Sequence, residues 1–151
     1  MSKSISRTIV ITTMFFFTFL LTQSFGFTQG DVNQLQNTGS CKKCDLENAD
    51  LSGTDLSGAT LEKAVMNGIN LTGANLSGAD LFGAFLTDAN LSGANLSNSF
   101  LNGSILTDAD LSSANLTGAT LHGAEVTGIS TSNATWCNTT TSDGETDDSG
   151  C

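Results

Sequence analysis

Apolar residues recur at every fifth position through most of this chain. The series runs to seventeen units in one register, and its members are Leu46, Leu51, Leu56, Leu61, Met66, Leu71, Leu76, Leu81, Leu86, Leu91, Leu96, Leu101, Leu106, Leu111, Leu116, Leu121 and Val126. A small residue, most often Ala, lies two positions before all of them except Leu71, and Asp or Asn commonly lies between. Such internal self-similarity predicts a repeat architecture.

A period of five fits neither a helix nor a strand. On an α-helix it rotates the side chain by about 140° per unit, and on a strand it alternates the two faces. The apolar residues share one interior only if the chain turns a corner once per unit, and glycines such as Gly53 and Gly58 supply the turn. Stacked coils would then pair their backbones about 4.8 Å apart. The chain contains no proline that would interrupt such ladders.

The motif Ala-(Asp/Asn)-Leu-x-x resembles that of the pentapeptide-repeat family. Residues 49–53 (Ala-Asp-Leu-Ser-Gly) and 74–78 (Ala-Asn-Leu-Ser-Gly) match it, and the match covers about residues 44–136. The resemblance implies an all-β fold, a right-handed quadrilateral β-helix with four units per coil. Trp136 then falls on top of a leucine column, where we expect it to cover the last coil.

The flanking segments suggest an exported chain of four parts. Lys3 and Arg7 precede an apolar stretch of about 14 residues, too short for a bilayer span of roughly 20, and this layout is typical of a signal peptide. We expect a signal peptide over 1–26, an N-terminal cap over 27–43, the β-helix over 44–136 and a C-terminal tail over 137–151. The alternative for 1–26 is an uncleaved anchor. In the cap, a short helix is expected to start at Asp31 and to present Val32 and Leu35.

Charge and motifs narrow the function classes. The formal charge is −10, with five basic and fifteen acidic residues, and it becomes more negative without 1–26. An acidic surface disfavours nucleic acid, which needs Lys and Arg for its phosphates. The single histidine, His122, has no partner in register, and no metal, cofactor or nucleophile motif is present. We therefore expect no enzyme, no cofactor and, after signal cleavage, no membrane association.

Four cysteines flank the repeats, and in an exported protein an even count predicts disulfides, here with three alternative pairings. The tail is similar to that of exported pentapeptide-repeat proteins of cyanobacterial type, through Cys-Asn-Thr-Thr at 137–140, Asp-Gly at 143–144 and Ser-Gly-Cys at 149–151. The resemblance implies a disulfide between Cys137 and Cys151, stabilising by roughly 3 kcal/mol. Cys41 and Cys44 would pair with each other or stay free, and the alternative is a redox site whose thiol pKa is lowered by neighbouring lysines. A zinc site of all four is disfavoured because the two pairs lie at opposite ends.

Apolar residues also occur at positions that should face outwards. Val65, Phe85 and Ile105 follow one another at intervals of twenty, and the adjoining face adds Phe82 and Phe100. We predict a docking or dimerisation surface there, with an unknown protein or a second copy as partner. The alternative is that these side chains only seal the wall.

Three functions are compatible with the sequence. The first is a structural or interaction module that is periplasmic, secreted or lumenal. The second, implied by the resemblance, is a DNA mimic that binds gyrase, but export and the clustering of acids at the first coil and tail oppose it. The third is thiol–disulfide exchange at Cys41 and Cys44.

Overall fold

The computed structural model describes residues 27–151, and the predicted signal peptide lies outside the described residues. The described chain begins with helix α1 (Gln29–Thr38) and ends with a two-stranded antiparallel pair, β1 (Thr139–Thr140) and β2 (Thr146–Asp147). Between them the backbone forms a coil of short parallel bridges from residue 40 to residue 140. The coil thus extends a few residues beyond the span predicted for the repeats.

Four bridge ladders run side by side along the coil, and each joins residues twenty positions apart. We number the four faces by the residues of their ladders: face 1 has Asp45, Val65, Phe85, Ile105 and Glu125; face 2 has Asp50, Asn70, Asn90, Asp110 and Ser130; face 3 has Asp55, Asn75, Asn95, Asn115 and Thr135; face 4 has Ser40, Thr60, Asp80, Phe100, Thr120 and Thr140. The coil is therefore four-sided, as the sequence resemblance implies.

The corners between faces are tight turns with a left-handed residue. At one of them the Ala89 amide donates to the Leu86 carbonyl at 3.1 Å, and Asp88 between them has φ 56°. A positive φ at the third residue is typical of a type II turn, which favours glycine. Nine corner residues are nevertheless not glycine, and most of them are Asn or Asp. These two residues tolerate the left-handed region because their short side chains bond to nearby backbone.

The leucine columns form the core. Leu71, Leu91 and Leu111 stack in one column, and each is 0% exposed. The alanines that precede the leucines are buried as well, so each face contributes two inward side chains per unit. The register inferred from the five-residue period therefore matches the inward positions.

Outward Asn and Asp side chains extend the ladders on face 3. Asn75 donates to Asp55 at 3.0 Å, Asn95 to Asn75 at 3.1 Å, and Asn115 to Asn95 at 3.3 Å. On face 2 only the first step, from Asn70 to Asp50, forms such a bond. These stacked amides tie successive coils together on the polar side of the molecule.

Helix α1 closes the N-terminal end of the coil. Val32 and Leu35 are buried against the first coil, and the Asp31 carboxylate accepts a hydrogen bond from the Asp45 amide at 2.9 Å. The prediction that the helix starts at Asp31 is wrong by two residues. It begins at Gln29 because the Thr28 side chain is the N-cap and accepts from the Asp31 amide.

The tail covers part of the C-terminal end. A disulfide joins Cys137 to Cys151, as expected, and Trp136 is partly buried against the core. Gly150 lies so close to the backbone that a Cβ there would be 2.6 Å from the Trp136 amide nitrogen, which explains why this position takes glycine. Over residues 27–151, no helix has the length and apolar character needed to cross a membrane.

Candidate functional site

Three phenylalanines are exposed around one corner of the coil, the corner at Gly83 where face 4 turns into face 1. Phe82 is 47% exposed, Phe85 40% and Phe100 50%. They are the exposed large hydrophobic residues within the described range 27–151. Together with the neighbouring Val65 and Ile105 they form what we call the aromatic edge.

The bridge ladder of face 1 positions half of this edge. The Phe85 backbone forms parallel bridges with Val65 in the preceding coil and with Ile105 in the following coil. The inward places of the same unit are taken by Ala84 and Leu86, both 0% exposed, so the side chain between them points outwards. Val65 and Ile105 are half-buried, whereas Phe85 is exposed.

Face 4 and its corner position the other half. The Phe82 amide donates to the Asp80 carboxylate at 3.1 Å, and the Phe82 carbonyl accepts from the Lys63 amide at 2.9 Å. These bonds hold the turn at Gly83, whose φ is 63°. Phe100 lies one coil further along, directly after Asp80 in the ladder of face 4.

All the lysines of residues 27–151 lie at the N-terminal end of the same edge. Lys43 and Lys63 occupy the corner column that continues into Gly83, and Lys42 precedes Lys43. The Lys63 stem lies across the corner, because a Cβ at Gly83 would be 3.3 Å from Lys63 Cγ. The spacing of twenty from Lys43 to Lys63 to Gly83 is the sequence signal that connects these lysines with the aromatic residues, and the apolar pattern does not include it.

The charges at this end of the edge are partly paired. The Lys42 ammonium donates to Glu62 at 2.8 Å, and this hydrogen bond raises the pKa of Lys42. The same bond, with the charges of Lys42, Lys63 and Lys43, lowers the pKa of Glu62. Lys43 and Lys63 form no ion pair with any residue of the described part.

The second candidate site, Cys41 and Cys44, is closed. The two residues form a disulfide with an S–S distance of 2.04 Å, and they are 0% and 7% exposed beneath α1. Thiol–disulfide exchange requires an attacking thiolate to reach a sulfur, and the burial of both residues opposes this in the folded chain. Among residues 27–151, no three His, Cys, Asp or Glu side chains are grouped to hold a metal ion.

The repeats match a family model described as pentapeptide repeats. Eight copies match, over residues 40–78, 49–88, 84–123 and 101–129, which is more than half of the chain. No curated protein is significantly similar to this chain.

Solved structures share the fold. A pentapeptide repeat protein from the Arabidopsis thaliana thylakoid lumen is 33% identical over 65% of this chain and 66% of its own, with a TM-score of 0.60. This chain thus spans slightly less than two thirds of that protein. A pentapeptide repeat protein from the cyanobacterium Cyanothece 51142 is 26% identical over 71% of this chain and 97% of its own, with a TM-score of 0.51. These neighbours imply that the four-sided coil is a right-handed β-helix.

Proposed function

Because the chain belongs to the pentapeptide-repeat family, we propose that it is an exported, non-catalytic module that binds a protein partner through its aromatic edge. Members of this family are in general structural or interaction modules. The single observation that carries the proposal is the exposure of Phe82, Phe85 and Phe100 on adjacent coils of an otherwise polar surface. Contiguous exposed apolar side chains mark interaction sites more often than scattered ones do.

Three observations support export to an oxidising compartment. The chain has two disulfides and no free cysteine in its described part, and disulfides persist in periplasmic, lumenal and extracellular spaces. The N-terminal 26 residues have the composition of a signal peptide. A thylakoid lumen relative at 33% identity is consistent with the same kind of location.

The two alternative functions are less well supported. Redox exchange at Cys41 and Cys44 is opposed by their burial. A gyrase-binding DNA mimic needs a continuous acidic surface, whereas one edge here carries lysines and phenylalanines. The disulfides also fit poorly with a cytoplasmic target.

Affinity capture from the exported fraction tests the proposal. The wild-type chain is compared with a double variant, Phe85→Ser with Ile105→Ser, and with a matched control, Ser92→Ala with Ser97→Ala, on faces 2 and 3 of the same region. We expect the double variant to capture at least tenfold less of the partner than the wild-type chain does, and the control to capture as much as the wild-type chain. Equal capture by all three proteins, or recovery of the tagged chain from the cytoplasm, contradicts the proposal.

A further inference from the structure

The two ends of the aromatic edge differ in charge: the lysines lie at its N-terminal end, beside Asp45 and the paired Glu62, whereas acidic residues without a neighbouring lysine lie at its C-terminal end. Lys43 and Lys63 lie on the N-terminal side of the phenylalanines. Glu125, the last member of the face 1 ladder, and Asp143 lie on the C-terminal side, and both are exposed. Asp143 lies in the same corner column as Lys43, Lys63 and Gly83. The Gly123 amide donates at 2.8 Å to the carbonyl of Ser142, the residue before Asp143, as the other corner residues do one coil earlier.

The positive and the negative residues lie at equal numbers of coils from the middle of the edge. The midpoint lies between the coil of Phe85 and the coil of Ile105, which are successive members of one ladder. Lys63 is one coil before Phe85, and Glu125 is one coil after Ile105. Lys43 and Asp143 lie one further coil out at either end.

We propose that a second copy of this chain docks edge to edge and antiparallel, related by a two-fold axis through this midpoint. The inference rests on the proposed function and names the partner of the same surface. Such an axis reverses the coil direction and brings face 1 onto face 1 and face 4 onto face 4. Phe85 then meets Ile105 of the second copy, and Phe82 meets the coil of Phe100.

The same axis pairs the charges. Lys63 lies opposite Glu125 of the second copy, and Lys43 lies opposite its Asp143, each pair occurring twice. Neither Lys63 nor Glu125 has an ion-pair partner within the described part of its own chain. A parallel arrangement would instead place lysines against lysines, and so electrostatics select the antiparallel one.

The contact is small because the edge is convex. Each phenylalanine exposes about 80–100 Å² of a side chain whose full surface area is near 200 Å². The interface is therefore at the small end of protein–protein interfaces, where association is weak and reversible. We expect a monomer–dimer equilibrium over about 1–500 µM that shifts towards monomer as salt increases.

Charge exchange across the axis provides the decisive experiment. The full chain is expressed with its N-terminal segment in an oxidising compartment, and its mass is followed by sedimentation equilibrium. Lys63→Glu alone and Glu125→Lys alone each set like charges opposite each other, and we expect each to weaken dimerisation at least tenfold. Mixing the two variants restores both opposite-charge pairs, and we expect a heterodimer of wild-type affinity. No destabilised fold would regain dimerisation in this way.

Cross-linking tests the register. In the antiparallel dimer, Lys63 is about three coils, roughly 14 Å along the axis, from Lys63 of the second copy. A mixture of Lys63→Cys and Glu125→Cys chains is expected to cross-link under mild oxidation, while Lys63→Cys alone is not. The inference is wrong if the protein is monomeric up to 500 µM, if the charge variants dimerise as wild type does, or if the mixed cysteines fail to cross-link. None of these results affects capture of another partner, which tests the proposed function separately.

Discussion

Replacement of Leu91 by aspartate tests the leucine register more sharply than any other single change. Leu91 is 0% exposed and lies between Leu71 and Leu111, which are equally buried. The Leu91 amide donates to the backbone carbonyl of Asp110 at 2.8 Å, and the carbonyl of Asn90 accepts from the Leu71 amide at 2.7 Å. Because coils on both sides hold the backbone in place, the structure cannot collapse around a smaller or polar side chain.

The magnitude follows from burial. Truncation to alanine at such a site costs about 2–5 kcal/mol, and the rigid ladder places Leu91→Ala in the upper half of that range. Aspartate adds a buried carboxylate without a partner, and its burial destabilises the fold by several kcal/mol more. Protonating the carboxylate instead destabilises the fold by a similar amount. The sum approaches the total stability of about 5–15 kcal/mol that a domain of this kind possesses. We therefore expect Leu91→Asp to unfold the coils around it.

Urea unfolding followed by far-ultraviolet circular dichroism measures the effect, with Asn90→Asp as the matched control. Asn90 is exposed, and its side chain accepts from the Ser92 amide at 3.0 Å, a bond that aspartate keeps. We expect the control to change stability by less than about 0.5 kcal/mol. A wild-type-like cooperative transition for Leu91→Asp would refute the register, and so would a greater loss from the control.

Three further predictions concern the tail and the acidic ladders. Replacing both Cys137 and Cys151 by serine is expected to lower stability by about 2–4 kcal/mol, and an unchanged thermal melt would show that the tail is held without the bond. Gly150→Ala is expected to leave free thiols at these cysteines in a thiol titration, because the added carbon would meet the backbone at 2.6 Å; a fully oxidised variant would contradict this. Hydrogen bonds from Ser57 lower the pKa of Asp55 in the folded state. The ionised carboxylate therefore stabilises the fold above about pH 4, the pKa of aspartate in the unfolded chain. This stabilisation is lost as the pH falls through the lower pKa of the folded state. Asp55→Asn should therefore flatten the acid limb of the stability curve, and an unchanged limb would rule out this contribution.

Much of the fold could be predicted because the repeat is regular. The five-residue period assigns the buried positions, and the four units per coil implied by the family resemblance stack them in columns and place Trp136 on one of these columns. The sequence predicts a helix start at Asp31 instead of Gln29 because Thr28 and Asp31 are both good capping residues, and the N-cap is identified only by the hydrogen bond from the Asp31 amide to the Thr28 side chain. The corners that lack glycine could not be assigned from turn preferences alone, since lysine occupies two of them.

The candidate site was predictable in part. Alternation within each unit predicts that Phe82, Phe85 and Phe100 point outwards, but it does not determine how far each side chain folds back onto the wall. That depends on neighbours one coil away, which is why Val65 and Ile105 are half-buried in the same ladder. The apolar pattern does not reveal the lysines at the end of the edge, because they are linked to the phenylalanines only through a spacing of twenty residues at the corner positions.

The most direct test of the four-sided coil is the measurement of scalar couplings across backbone hydrogen bonds by nuclear magnetic resonance. The Leu91 amide bonds to the carbonyl of Asp110, nineteen residues ahead, and the Asn90 amide to that of Ile69, twenty-one residues back. We predict couplings between these nitrogen and carbonyl-carbon nuclei and between equivalent pairs on all four faces. Couplings between residues four apart, or none across coils in a folded sample, would contradict the account.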